Sequence, residues 1–160
     1  MNKITIQIQG LDEVNKGLDR MSVAVIDELQ EAVRKSGELF KQKARRIAGS
    51  PPIVFRGELA RSIQNRVGKL RAEIRAFGSA EVYSDVIEYG RRPGKMPPVH
   101  RLEHWARIKL GQEGLGFVIA RKIARKGTKA QPYIRPAFED GLNDVQHFLN
   151  EAASNVVKAL

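Results

Sequence analysis

The chain has no cysteine, which excludes disulfides, thiolate chemistry and thiolate-ligated metals and fits folding in a reducing cytoplasm. It has no run of about 18 or more apolar residues, and its N-terminus, MNKITIQIQG, alternates polar and apolar residues instead of setting an apolar run behind a basic one. Neither a membrane span nor a signal peptide is expected. Aromatic residues are few, six Phe, three Tyr and one Trp, and none is interleaved with the basic runs in the manner of a platform for stacking unpaired bases. Also missing are a G-x-S-x-G nucleophile elbow and a glycine loop followed by a phosphate-reading lysine, so hydrolase and NTPase readings have no anchor. Zinc-finger spacing, an aromatic ribonucleoprotein motif and internal repeats are lacking too.

What the chain does have is positive charge, unevenly placed. Of 160 residues with a formal net charge of +10, residues 1–40 carry 5 cations and 7 anions, residues 41–135 carry 22 and 7, and residues 136–160 carry 1 and 4. A positive middle flanked by acidic ends points to an anionic partner, with nucleic acid the first candidate, or to a merely soluble basic surface. The basic elements are Lys41, Lys43, Arg45 and Arg46, then the loop Arg91-Arg92-Pro93-Gly94-Lys95, then Arg121, Lys122, Arg125, Lys126 and Lys129. With no base-reading motif beside them, these cations would meet a phosphate backbone without sequence preference.

The patterning predicts one α+β domain spanning residues 1–160. Ile4, Ile6 and Ile8 alternate as in a half-buried strand over Lys3 to Gln9. From Asp12, a candidate N-cap, to Ala48, apolar residues recur at helical spacing, giving one long helix or two joined near Gly37, stopped by Gly49-Ser50-Pro51-Pro52. Short runs at Ser62 to Val67, Ala72 to Phe77 and Glu81 to Ser84, set off by glycine turns, predict an antiparallel meander. Val99 to Leu110 and Leu115 to Lys126 predict helices, the second ended by Gly127. A last helix starts near Pro136, with Phe138, Leu142, Val145, Leu149, Ala152 and Val156 forming a seam and Glu139 and Asp140 suiting its N-terminal dipole. The expected architecture is a small antiparallel sheet packed against a long N-terminal and a long C-terminal helix.

His100-Arg101-Leu102-Glu103-His104 matches H-x-x-E-H, in which two histidines one turn apart bind zinc and a glutamate acts as base. Arg107, one turn past Glu103, favours an ordinary Glu–Arg pair and would oppose a dication, and a third ligand would have to come from distant carboxylates such as Glu139 or Glu151. The expectation is a solvated charged face and no assigned metal. Asp85 and Glu88 are expected as surface carboxylates balancing nearby arginines.

Five features in order carry a resemblance: Arg56-Gly57-Glu58-Leu59-Ala60-Arg61-Ser62-Ile63; Tyr83-Ser84-Asp85-Val86-Ile87-Glu88-Tyr89-Gly90; the loop from Arg91 and Arg92 through Pro93, Gly94, Lys95, Met96 and Pro97 to Pro98; Trp105; and Lys122-Ile123 through Gly127-Thr128 to Pro132-Tyr133-Ile134-Arg135-Pro136-Ala137-Phe138. From about residue 10 onward the chain resembles tail-component proteins of long-tailed bacteriophages and prophages, the head–tail joining, tail-completion or neck proteins. It departs from them at Arg56, where a threonine is usual. The resemblance implies a non-enzymatic virion protein without cofactor, made in the bacterial host cytoplasm and located in the tail or neck. It also implies a ring of six copies at the head-proximal end of the tail, neighbouring neck and tail proteins as partners, nonspecific contact with duplex DNA, and no membrane. On that reading the prolines hold Arg91, Arg92 and Lys95 on a stiff docking loop that loses little entropy on binding. The alternative is a sequence-nonspecific nucleic-acid-binding module.

Overall fold

The computed structural model describes residues 4–6, 23–53 and 57–159. In chain order these form strand β1 (Ile4–Ile6), helices α1 (Val23–Ala48) and α2 (Glu58–Ser62), strands β2 (Ile63–Gly68) and β3 (Arg71–Ala76), a 3-10 turn (Gly78–Ala80), and helices α3 (Glu81–Tyr89), α4 (Val99–Leu110), α5 (Gly116–Lys126), α6 (Ile134–Glu139) and α7 (Leu142–Ala159). The class is α+β, with a small antiparallel sheet between a long N-terminal and a long C-terminal helix in sequence. Two compact units contain these elements: Met1–Val82 with Tyr133–Leu160, and Tyr83–Pro132. The candidate N-cap Asp12, the turn at Arg56 and the outer parts of the first expected strand lie outside the described residues.

In the larger unit α1 is the organising element, touching β2, β3, α6 and α7. It is one continuous helix, and Gly37 is a packing position within it: a Cβ there would lie 2.8 Å from the Ala72 Cβ and 2.5 Å from the Asn65 amide. Only glycine lets the helix approach the sheet this closely. Val25, Ala32, Val33, Phe40, Ala44 and Ala48 are buried along it, and Arg45 and Arg46 in its last turn suit the negative end of the helix dipole. The strand order is β1-β3-β2, all antiparallel, with Ile4 opposite Ile74 and Ile63 opposite Ala76. Ala72, Ile74 and Ala76 are buried on one face of β3, while Glu73 and Arg75 occupy the other, beside Phe77, whose ring lies 4.5 Å from the guanidinium carbons of both Arg66 and Arg75.

Two expectations are corrected here. Glu81 to Ser84 is not a third strand of a meander but the first turn of α3. Gly78, at φ 66°, turns the chain, and Ala80, Ser84 and Glu88 are then buried at intervals of four, a helical period that four residues are too few to reveal. The last helix is also interrupted. It breaks at Asp140 and Gly141, and there a Cβ on Gly141 would meet the Phe40 ring at 2.6 Å, the ring that stacks on Phe138 with centroids 5.0 Å apart. The expected seam holds on either side of the break, with Phe138, Val145, Leu149, Ala152 and Val156 buried or half-buried, and only Leu142, at the break, is exposed.

The smaller unit pairs α4 with α5. Small residues make the contact, with Ala106, Gly116 and Ala120 all buried, and a Cβ on Gly116 would overlap the Glu103 backbone, 2.7 Å from its nitrogen. Gly111, at φ 66°, closes α4 in the left-handed conformation.

Candidate functional site

The three basic segments have different fates. In the first, every cation is engaged within the larger unit. Lys41 pairs with Glu38 at 2.6 Å, and Arg46 lies 3.6 Å from Asp140. Arg45 donates to the carbonyls of Ile63 at 2.9 Å and Arg61 at 3.4 Å, tying α1 to the start of β2. Lys43 bridges Asp140 at 3.1 Å and Asp144 at 3.3 Å and donates to the Asp140 carbonyl, holding the break between α6 and α7. The hydrogen bond to Asp140, reinforced by Asp144, keeps the Lys43 ammonium above the usual lysine range. The cations of Lys41 to Arg46 thus also hold the larger unit together.

The other two segments come together in the smaller unit. Arg91 and Thr128 exchange backbone hydrogen bonds of 3.0 and 2.8 Å, the Gly94 amide donates to the Ala124 carbonyl at 2.8 Å, and the Gln131 amide donates to the Ile87 carbonyl at 2.7 Å. These bonds knit the proline loop to the C-terminal end of α5. Two glycines permit it. A Cβ on Gly90, φ 74°, would lie 2.7 Å from the Thr128 carbonyl, and one on Gly127, φ 70° and ψ −164°, would overlap the Arg91 carbonyl oxygen. Within the loop the Arg91 guanidinium donates to the Lys95 carbonyl. Arg91 is thus a clasp of the loop, while Arg92, Lys95 and Met96 are exposed.

Helix α5 divides cleanly. Gly116, Ile119, Ala120, Ile123 and Ala124 are buried or half-buried, and the remaining six residues are exposed. Those six form two rows at i, i+4 and i+8: Phe117, Arg121, Arg125, and Val118, Lys122, Lys126. Among the described residues none of the four cations has a carboxylate within 4.0 Å, whereas Lys41, Lys43 and Arg46 on α1 all do. Lys129 is exposed just beyond the helix. The smaller unit holds eleven Lys and Arg against four Asp and Glu, so +7 of the chain's +10 resides in 50 residues. No aromatic lies within Arg121 to Lys129, but Phe117, 54 % exposed, stands one turn before Arg121 on the same face. Its separation from Arg121 by four residues is visible in the sequence once a helix is drawn through it.

The H-x-x-E-H segment has a structural use. The Glu103 carboxylate on α4 accepts the Gly116 amide at 2.6 Å and also the Gly114 amide, capping α5 from a neighbouring helix and placing negative charge at its positive end. Arg107 lies 3.4 Å from His104 Nδ1 instead of pairing with Glu103. Among the described residues no group of three or more His, Asp and Glu could hold a metal ion. Glu88, expected at the surface, is only 2 % exposed. No helix among the described residues is long and apolar enough to cross a membrane. Neither a scan of protein-family models nor searches of curated proteins and of solved structures matched the chain.

Proposed function

We propose that this chain is a structural assembly protein of a long-tailed phage or prophage, a tail-completion or head–tail joining component that acts as a ring of identical copies at the head-proximal end of the tail. The observation that carries this reading is the proline loop. Its backbone is fastened at Arg91 and Gly94 to the end of α5, so that Arg92, Lys95 and Met96 are presented on a shape already fixed before binding. A surface ordered in advance loses less entropy on docking, which favours assembly by many copies of a modest contact. The residue order from Gly57 to Phe138 supports the same class by resemblance.

The test combines assembly with a charge change. Light scattering and electron micrographs of the purified protein across concentration and salt are expected to show closed rings with an open centre. In phage particles that depend on this chain, Arg92→Glu with Lys95→Glu is expected to leave the protein folded but heads and tails unjoined. Normal infectious titres from that variant refute the reading. Arg91 is left out because its change would open the loop itself. A second reading, sequence-independent nucleic-acid binding, is favoured by the four exposed cations of α5, which have no carboxylate within 4.0 Å among the described residues.

A further inference from the structure

We infer that the exposed face of α5 binds single-stranded nucleic acid, with Phe117 stacking on an unpaired base and Arg121, Lys122, Arg125 and Lys126 holding the phosphates on either side. This does not rest on the assembly reading. Single-strand binding needs two things together, a cationic track for the backbone and a π-face for the bases. Helix α5 supplies both in one row: Phe117, Arg121 and Arg125 succeed one another at single-turn spacing, over about 12 Å of helix. All three are exposed. A duplex offers phosphates but keeps its bases stacked, so an exposed phenylalanine meets a base face there only at the cost of prying a step apart.

The face does not suit a lipid surface. An interfacial helix needs an apolar face along its length, whereas the apolar residues of the later turns, Ile119, Ala120 and Ile123, are turned inward and only Phe117 and Val118 are presented at the first turn. Nor does it suit an apolar protein partner, because four exposed cations would have to be desolvated with two apolar side chains in return. A polyanion that brings its own flat apolar groups matches the whole face.

The test is fluorescence anisotropy of the full chain with a labelled single strand of about 15 nucleotides and with the corresponding duplex. The single strand is expected to bind more tightly. Between about 50 and 200 mM salt its affinity is expected to fall roughly 50-fold, the slope of about −3 that four phosphate contacts on a single strand give. Phe117→Ala is expected to weaken the single-strand complex roughly five- to 150-fold and to leave duplex binding unchanged. Phe117→Tyr, which keeps the ring, is expected to bind as the parent does, and Lys158→Ala, an exposed cation in the other unit, serves as the control. Far-ultraviolet circular dichroism verifies that each variant folds. The inference is overturned if Phe117→Ala binds the single strand as well as the parent does, if duplex is preferred, or if the chain binds only vesicles of anionic phospholipid.

Discussion

Gly127→Ala is the sharpest single perturbation of the tie between the proline loop and α5. At φ 70° and ψ −164° the residue lies where alanine is strained by about 1–3 kcal/mol, and the added methyl would occupy the place of the Arg91 carbonyl oxygen. The chain can relieve that overlap only by parting Arg91 from Thr128, which forfeits two backbone hydrogen bonds of 3.0 and 2.8 Å, each worth about 1 kcal/mol net. The local cost is therefore about 3–5 kcal/mol, enough to open the loop in most molecules while the larger unit, which contains none of these residues, remains folded. Native-state hydrogen exchange reads this directly. The Arg91, Gly94 and Thr128 amides are expected to lose protection together, whereas the amides of α1 and β3 keep theirs. Retained protection at Arg91 and Thr128, with a stability change under about 0.5 kcal/mol, refutes the account of the loop.

Glu103→Ala removes the carboxylate that caps α5 and is expected to cost about 2 kcal/mol in the smaller unit, measured by exchange at the Gly114 and Gly116 amides, with added zinc or chelator changing nothing. Phe40→Ala deletes the ring that stacks on Phe138 and fills the space over Gly141, so chemical denaturation is expected to show a loss of about 3–5 kcal/mol. The Lys43 ammonium is held above its ordinary value, so its bridges to Asp140 and Asp144 contribute below the unfolded lysine value and are lost as pH rises through the folded one; alkaline titration is expected to lower stability less in Lys43→Met than in the parent. The Glu31 carboxyl is lowered by its hydrogen bond to Arg34, so that pair contributes above the ordinary glutamate value and fades as acid protonates it; carboxyl titration by NMR is expected to return Glu31 toward that value in Arg34→Ala.

Much of this architecture is written in the pattern of apolar residues. The period of 3.6 from Val25 to Ala48 and from Val99 to Leu110 marks helices whose ends coincide with glycine or proline, and the hairpin of β2 and β3 is bounded by turn residues. What failed to show were features decided by distant partners. Nothing local distinguishes Glu81 to Ser84 as helix, because the buried period becomes visible only when Ala80 and Glu88 are included. The need for glycine at 141 depends on Phe40, about a hundred residues earlier in the chain, and the internal engagement of Lys43 depends on Asp140 and Asp144. The same holds for the site. Three basic runs look alike as letters, and only the carboxylates and carbonyls brought beside Lys41 to Arg46 by folding separate that run from Arg121 to Lys129.

The division of α5 into a packed side and six exposed residues also governs how the protein can change over generations. Mutations at Phe117, Val118, Arg121, Lys122, Arg125 and Lys126 leave the buried side of α5 untouched, so drift or selection there can alter the bound partner while the fold is inherited intact. A lysine or arginine lost from α1 instead takes a tether of the larger unit with it. Among descendants of one ancestor, the α1 cations should persist wherever the fold persists, and the α5 cations only where the partner does.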